Sequence, residues 1–233
     1  MKYDCIMDSQ DKEEKMNEEQ EKKDLLETKE IFAKAGAIIT GDHFVYAKKP
    51  DGWYHGLDYV NKDAIYPFVN SVSELCRKLA RRFWDYSVET VVGPTVGAVV
   101  LSQWTAYWLA RAFKQDVMAV FADPEEIFEE RKIGLQAEME FNAFGKVRIK
   151  GEQIDMERGL ASIAFFDKIY SRRVIRRGYD RHVTGKKCLI VEDIINSGET
   201  VRMTIDAVKR AGGEVLGVAC LCNRSGKKVS AET

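Results

Sequence analysis

Leu189-Ile190-Val191-Glu192-Asp193-Ile194-Ile195-Asn196-Ser197-Gly198-Glu199-Thr200 is the stretch whose reading decides the fold. An apolar run ends in two adjacent carboxylates, and a short polar Ser-Gly-x-Thr turn then opens a helix. Read physically, a buried strand delivers Glu192 and Asp193 to its carboxyl end, where ligands bind in open α/β sheets. Residues 196–200 then form a turn whose backbone N–H groups, hydroxyls and helix N-terminus suit an anion. The carboxylates suit sugar hydroxyls or a metal, and the amide-lined turn suits a phosphate. A ligand that needs both within one turn of chain is a phosphorylated ribose.

Composition bounds what surrounds this stretch. The chain has 233 residues, is 45% hydrophobic and carries a net charge of −1, which is ordinary for one soluble α/β domain. That charge gives no reason to expect nucleic acid as a partner. No apolar stretch approaches membrane-spanning length, and the N-terminus is acidic rather than signal-like, so a cytoplasmic protein away from membranes is expected. Cysteine is odd in number, at Cys5, Cys76, Cys188, Cys220 and Cys222. Reduced thiols in a reducing compartment follow, and Cys220 and Cys222, at strand spacing, are expected to pack on one face.

The organisation reads from the N-terminus. Residues 1–24 form a charged, mobile tail, and residues 25–233 form a single domain divided into 25–65 and 66–226. A helix is expected from about Lys23 to Gly36, and strands over 41–48 and 57–61 about the turn-rich Lys49-Pro50-Asp51-Gly52. From Pro67 to Phe83, apolar Val72, Leu75, Cys76, Leu79 and Phe83 recur at helical spacing, with Arg77, Lys78, Arg81 and Arg82 mostly on the opposite side. A strand over 88–92 runs through Gly93-Pro94-Thr95-Val96-Gly97 into an apolar helix over 98–113, an arrangement that offers backbone amides to a phosphate. A strand is expected over 117–121, a helix over 124–132 and a hairpin about Gly145 and Gly151. The basic run Arg172-Arg173-Val174-Ile175-Arg176-Arg177 reads either as a surface strand with charged edges or as a phosphate clamp. A helix over 200–211 ends at Gly212-Gly213, and a last strand, 215–222, closes at Asn223-Arg224.

These residues resemble a known family. The stretch 188–200 is similar to the phosphoribosyl pyrophosphate (PRPP) signature of type I phosphoribosyltransferases, departing from it at Asn196, where Thr, Ser or Ala is usual. The Val-Gly-Pro-Thr-x-Gly form of residues 92–97 resembles the pyrophosphate loop of the orotate phosphoribosyltransferases. The resemblance implies a Rossmann-like α/β fold, with a mostly parallel sheet flanked by helices and a small N-terminal hood over 25–65. It implies that Glu192 and Asp193 hold the ribose hydroxyls, that Asn196, Ser197, Gly198, Glu199 and Thr200 bind the 5-phosphate, and that Thr95, Val96 and Gly97 bind pyrophosphate. Arg172, Arg173 and Arg176 look like the family's mobile basic loop, and Arg173 with Arg177 fits the same pattern equally well. Arg224 resembles a base-reading Arg, Asn196 stands at a base-touching position, and Lys48, or Lys49, is nearest to a Lys of the hood. The family continues further past Gly226 than this chain does, so a missing or short C-terminal segment is expected to bear on activity.

The implied function is transfer of the 5-phosphoribosyl group from PRPP to orotate, giving orotidine 5'-monophosphate and pyrophosphate in pyrimidine biosynthesis. Catalysis would be by Asp193 and the arginines 172, 173, 176 and 177, with Mg²⁺ carried by PRPP rather than by a protein metal site, in a homodimer. Two alternatives stay open: a phosphoribosyltransferase of the purine-salvage type, and a non-catalytic PRPP-sensing regulator.

Overall fold

The computed structural model describes residues 18–49, 52–94, 96–134, 154–155 and 162–224. Helix α1 (Glu18–Lys34) leads into an antiparallel ribbon of β1 (Ile38–Lys49) and β2 (Gly52–Val60). A 3-10 turn, Lys62–Ala64, precedes α2 (Val69–Arg81), β3 (Thr90–Gly93) and α3 (Val96–Phe113). Then come β4 (Met118–Gly134), β5 (Ile154–Asp155), β6 (Ser162–Ile175), a 3-10 turn at Tyr179–His182, β7 (Lys187–Ile195), α4 (Glu199–Arg210) and β8 (Glu214–Asn223).

The described residues fall into two compact units, one ending at Asp123 and resuming at Arg173, the other lying within Pro124–Arg172. In the smaller unit β5 pairs antiparallel with the start of β6, Ile154 opposite Ile163 and Asp155 opposite Ser162. Here the structure corrects the sequence reading. Residues 124–132 belong to strand β4 rather than to a helix, and exposure alternates from Pro124 to Phe128 with the period of two that a strand imposes. The hairpin expected about Gly145 and Gly151 lies outside the described residues.

In the larger unit β3 pairs in parallel with β4 on one side and with β7 on the other, and β7 pairs in parallel with β8. Both faces of this sheet are covered, which is why β3 and β7 read as continuous apolar runs. Leu189 and Val191 of β7 pack with Val72, Leu75 and Leu79 of α2 and Leu101 and Leu109 of α3. The alternate residues Cys188 and Ile190 pack with Val201, Ile205 and Val208 of α4. Cys76, Cys188, Cys220 and Cys222 are buried thiols. Cys220 joins the α4 cluster and Cys222 the α2–α3 cluster, so they do not share one cluster as their spacing suggested. Burial pushes the Cys76 and Cys188 thiols up to about 12, which keeps them protonated and unreactive.

A second correction concerns α1 and α2. Lys78, expected on the solvent side of α2, is only 5% exposed, as is Asp24 of α1, a residue the composition had assigned to a solvated tail. Lys78 bonds Asp24 at 3.3 Å and also meets Glu27 and Glu74, and Arg81 donates to Asp24 at 2.6 Å. Thus α1 docks on α2 through ion pairs as well as through buried Phe32. Burial would raise the Asp24 pKa, but Arg81 and Lys78 outweigh it and hold the carboxyl below its ordinary value of 3.8. A carboxyl depressed on folding stabilises above its unfolded pKa and loses that contribution as pH falls through the folded one. Asp24→Asn is therefore expected to cost about 2 kcal/mol at neutral pH, near the cost of a broken charged hydrogen bond. That loss should shrink in denaturant titrations carried below pH 3.8.

Candidate active site

Strand β3 is flanked by β4 and β7, and their connections leave in opposite directions: β3 runs through α3 to β4, and β7 through α4 to β8. The turns after β3 and β7 therefore diverge and open a crevice at the carboxyl ends of the strands, the usual ligand position of such sheets. Both turns come close together because two glycines allow it. A Cβ on Gly93 would stand 2.6 Å from the Ala98 carbonyl oxygen, so α3 could not start so tightly against β3. A Cβ on Gly97 would collide with Asp193 Oδ2 and lie 2.6 Å from the Tyr66 hydroxyl.

Glu192 and Asp193 are 2% and 3% exposed at the end of β7. An ionised carboxylate buried to that degree needs partners. Glu192 Oε1 accepts the Asp193 N–H at 3.1 Å, and Asp193 Oδ1 accepts the Ile194 N–H at 2.6 Å. Asp193 Oδ2 is met by two side chains that sequence reasoning missed. The Lys62 ammonium pairs with it, and the Tyr66 hydroxyl donates to it at 3.2 Å. Burial opposes the charge on Lys62, but the hydrogen bond and charge of Asp193 prevail and its pKa is raised. Burial and the Asp193 charge also push the Tyr66 phenol far up, so it stays a donor.

The turn after β7 has the shape expected of an anion cradle. Gly198 lies in the left-handed region at φ 77°, and Ser197 Oγ accepts the Glu199 N–H at 3.3 Å. A pocket there is lined by Glu192, Ile194, Asn196, Ser197, Gly198 and Thr200, with the N-terminus of α4 behind it. The Arg224 N–H donates to the Ile195 carbonyl at 2.7 Å, and its guanidinium stacks 4.2 Å above the Tyr46 ring of β1. Lys48 pairs through its backbone with Trp53 in the ribbon. Thr95 lies outside the described residues, and Val96, the first residue of α3, is 90% exposed.

The basic run is the third correction. Arg172 and Arg173 are not in a loop; they lie in β6, and only Arg176 and Arg177 belong to the turn that follows. Arg172 pairs with Glu125 within the smaller unit. In the larger unit Arg210 donates to the Arg173 carbonyl at 2.6 Å, Arg177 pairs with Asp123 at 3.1 Å, and its guanidinium lies 5.3 Å from the Phe121 ring. Arginines four residues apart had allowed a charged surface strand as one of two readings, and that reading holds for Arg172 and Arg173. The structure thus gathers Glu192, Asp193, residues 196–200, Gly97 and Arg224, while Arg173 and Arg177 meet other partners. Because Gly97 has no room for a methyl group, Gly97→Ala is expected to cost about 1–3 kcal/mol of stability, as over-packing does. Chemical denaturation checks this, and an unchanged midpoint would contradict the close approach of residue 97 to Asp193.

Residues 161–232 match the model of the phosphoribosyl transferase domain. Over 200 residues the chain is 28% identical to an orotate phosphoribosyltransferase of Caldicellulosiruptor bescii, covering 86% of this chain and 76% of that one. It is also 28% identical, over 201 residues, to an orotate phosphoribosyltransferase of Thermotoga maritima, covering 86% and 78%. Among solved structures, an adenine phosphoribosyltransferase of Rhodothermus marinus aligns with a TM-score of 0.45 at 18% identity, covering 89% and 95%. An orotate phosphoribosyltransferase of Mycobacterium tuberculosis aligns with a TM-score of 0.45 at 16% identity, covering 84% and 82%. With a parallel sheet covered on both faces and the acidic pair at the end of β7, the chain carries a match to the phosphoribosyl transferase domain over residues 161–232 and is similar over most of its length to orotate phosphoribosyltransferases.

Proposed function

We propose that the chain transfers the 5-phosphoribosyl group of PRPP to orotate, releasing pyrophosphate and forming orotidine 5'-monophosphate. The observation that carries this reading is the buried Glu192–Asp193 pair directly before the turn at 196–200, at the switch point of the sheet. The substrate choice is supported by the orotate phosphoribosyltransferases among its relatives and by Arg224, held between Ile195 and Tyr46 at the pocket. In this reading residues 25–65 form a hood over a core of residues 66–226, and the active form is a cytoplasmic homodimer.

Displacing pyrophosphate from C1 of PRPP develops positive charge on the ribose ring and negative charge on the leaving group, so catalysis consists of positioning and of fixed charges placed where charge develops. Glu192 and Asp193 accept hydrogen bonds from the ribose hydroxyls and present negative charge to the cationic ring. Asn196, Ser197, Gly198 and Thr200, with the α4 N-terminus, take the 5-phosphate. Gly97 and the residues beside it bind pyrophosphate through backbone amides, and Arg224 takes the orotate carboxylate bidentately. Arg176 and Arg177, in the turn after β6, supply positive charge on the leaving-group side. Among the described residues no cluster of three His, Cys, Asp or Glu side chains forms a metal cage. Mg²⁺ would arrive on PRPP, keeping substrate oxygens and waters as its ligands. When bound, Mg²⁺ neutralises charge on the leaving pyrophosphate. Orotate enters as an anion, so no strong general base is required.

Two outcomes are expected. Consumption of orotate with PRPP and Mg²⁺, followed by ultraviolet absorbance beside hypoxanthine, adenine and uracil, should occur with orotate alone; turnover with a purine would overturn the substrate. Asp193→Asn should lower kcat/KM for PRPP by about a hundredfold or more, since a group acting at the developing charge contributes on that scale. Unchanged kinetics would remove Asp193 from the site.

A further inference from the structure

Resting on the reading above, we propose that Lys62 is a positioning residue of the PRPP site: the resident counter-ion of Asp193, which gives up that carboxylate to the ribose hydroxyls and turns its ammonium to the pyrophosphate. Four observations converge on it. Asp193 is almost fully buried, yet its Oδ2 takes both Lys62 and Tyr66, while Oδ1 is committed to the Ile194 N–H. The oxygen that a ribose diol can reach is thus the one Lys62 now occupies. The Lys62 side chain is 30% exposed against 4% for Asp193, so its ammonium stands at the mouth of the site and can shift without crossing the core. Its Nζ is also 3.2 Å from the position a Gly97 Cβ would take, against the turn proposed to bind pyrophosphate. One ammonium therefore lies between the ribose carboxylate and the pyrophosphate turn.

Lysine suits this role better than arginine. Its ammonium is a compact charge with three donors on a flexible four-carbon stem, so it can exchange one acceptor for another by rotation. Before substrate enters, the pair avoids leaving a buried carboxylate uncompensated, a costly state. After entry the ribose hydroxyls satisfy Asp193, and the ammonium is available to the more highly charged pyrophosphate. The residue reaches the site from the 3-10 turn Lys62–Ala64 between the ribbon and α2, so it also ties the ribbon to the sheet.

The test is calorimetric titration of Mg²⁺–PRPP into the whole protein, alongside steady-state kinetics with orotate. Lys62→Met, which keeps the stem and removes the charge, should bind PRPP about tenfold more weakly, the scale of one charge-assisted hydrogen bond. Its KM for orotate at saturating PRPP should stay near that of the unmodified chain, and Lys62→Arg should recover most of the PRPP affinity. Lys62→Gln, polar and uncharged, should show the same loss as Lys62→Met and serves if the latter does not fold. A Lys62 that merely anchors its turn would lower the melting temperature and leave PRPP affinity unchanged; that result overturns the inference and leaves the proposed function standing. An unmodified chain that does not bind PRPP overturns both.

Discussion

Parallel pairing of β3 between β4 and β7 is the constraint on which the rest of the site depends. Because the two connections depart to opposite sides, the chain cannot fill the space above the strand ends, and a crevice is left there by topology rather than by removal of side chains. Apart from Lys62 and the arginines after β6, what is assigned to the ligand comes from residues at the rim of that crevice: Gly97 after β3, Glu192 and Asp193 at the end of β7, residues 196–200 after it, and Arg224 after β8. Close approach of the two turns then dictates glycine at 93 and 97, since a methyl group at either would meet backbone or a buried carboxylate.

Two adjacent carboxylates in a buried strand end are a cost in stability that packing alone does not repay. Local N–H donors, Lys62 and Tyr66 offset it. The same bonds solve a second problem. A two-stranded ribbon is marginal by itself, and within the larger unit β1–β2 is held to the parallel sheet by the Lys62 turn at one end and by Tyr46 under Arg224 at another. Contacts that neutralise the site therefore also position the ribbon beside it. The ion pairs of Asp24 with Lys78 and Arg81 do comparable work for α1, away from the crevice.

What could be read from the residues follows from which forces are local. β7, its turn and α4 were legible because a strand buried on both faces must be apolar throughout, so Glu192 and Asp193 stand out as exceptions. The left-handed Gly212 was legible for an equally local reason. The stretch 124–132 was not. Its Glu, Arg and Lys residues favour a helix, and pairing within the sheet overrode that preference. Lys78 was misjudged because its burial depends on α1, whose composition signals solvent, and Asp24 becomes a partner only after docking. Lys62 carried no signal at all. It lies 131 positions from Asp193 in the chain, in a short turn, and only the strand order brings the two together.

Asp193 and the α4 N-terminus each already have an internal partner, and this bears on what the site would select. Lys62 answers Asp193, and Glu199 in the first turn of α4 answers the positive end of that helix, an arrangement contributing about 0.3–1 kcal/mol. Glu199 is exposed and can turn away, whereas Asp193 cannot. A simple anion meets the helix N-terminus but leaves the carboxylates paired, and a simple polyol meets the carboxylates but strands the displaced ammonium. A molecule with a vicinal diol, a 5-phosphate and a further polyanion replaces each internal partner at once. On the proposed function, selectivity for such a ligand would arise from partners it must displace together, not from any one contact being strong.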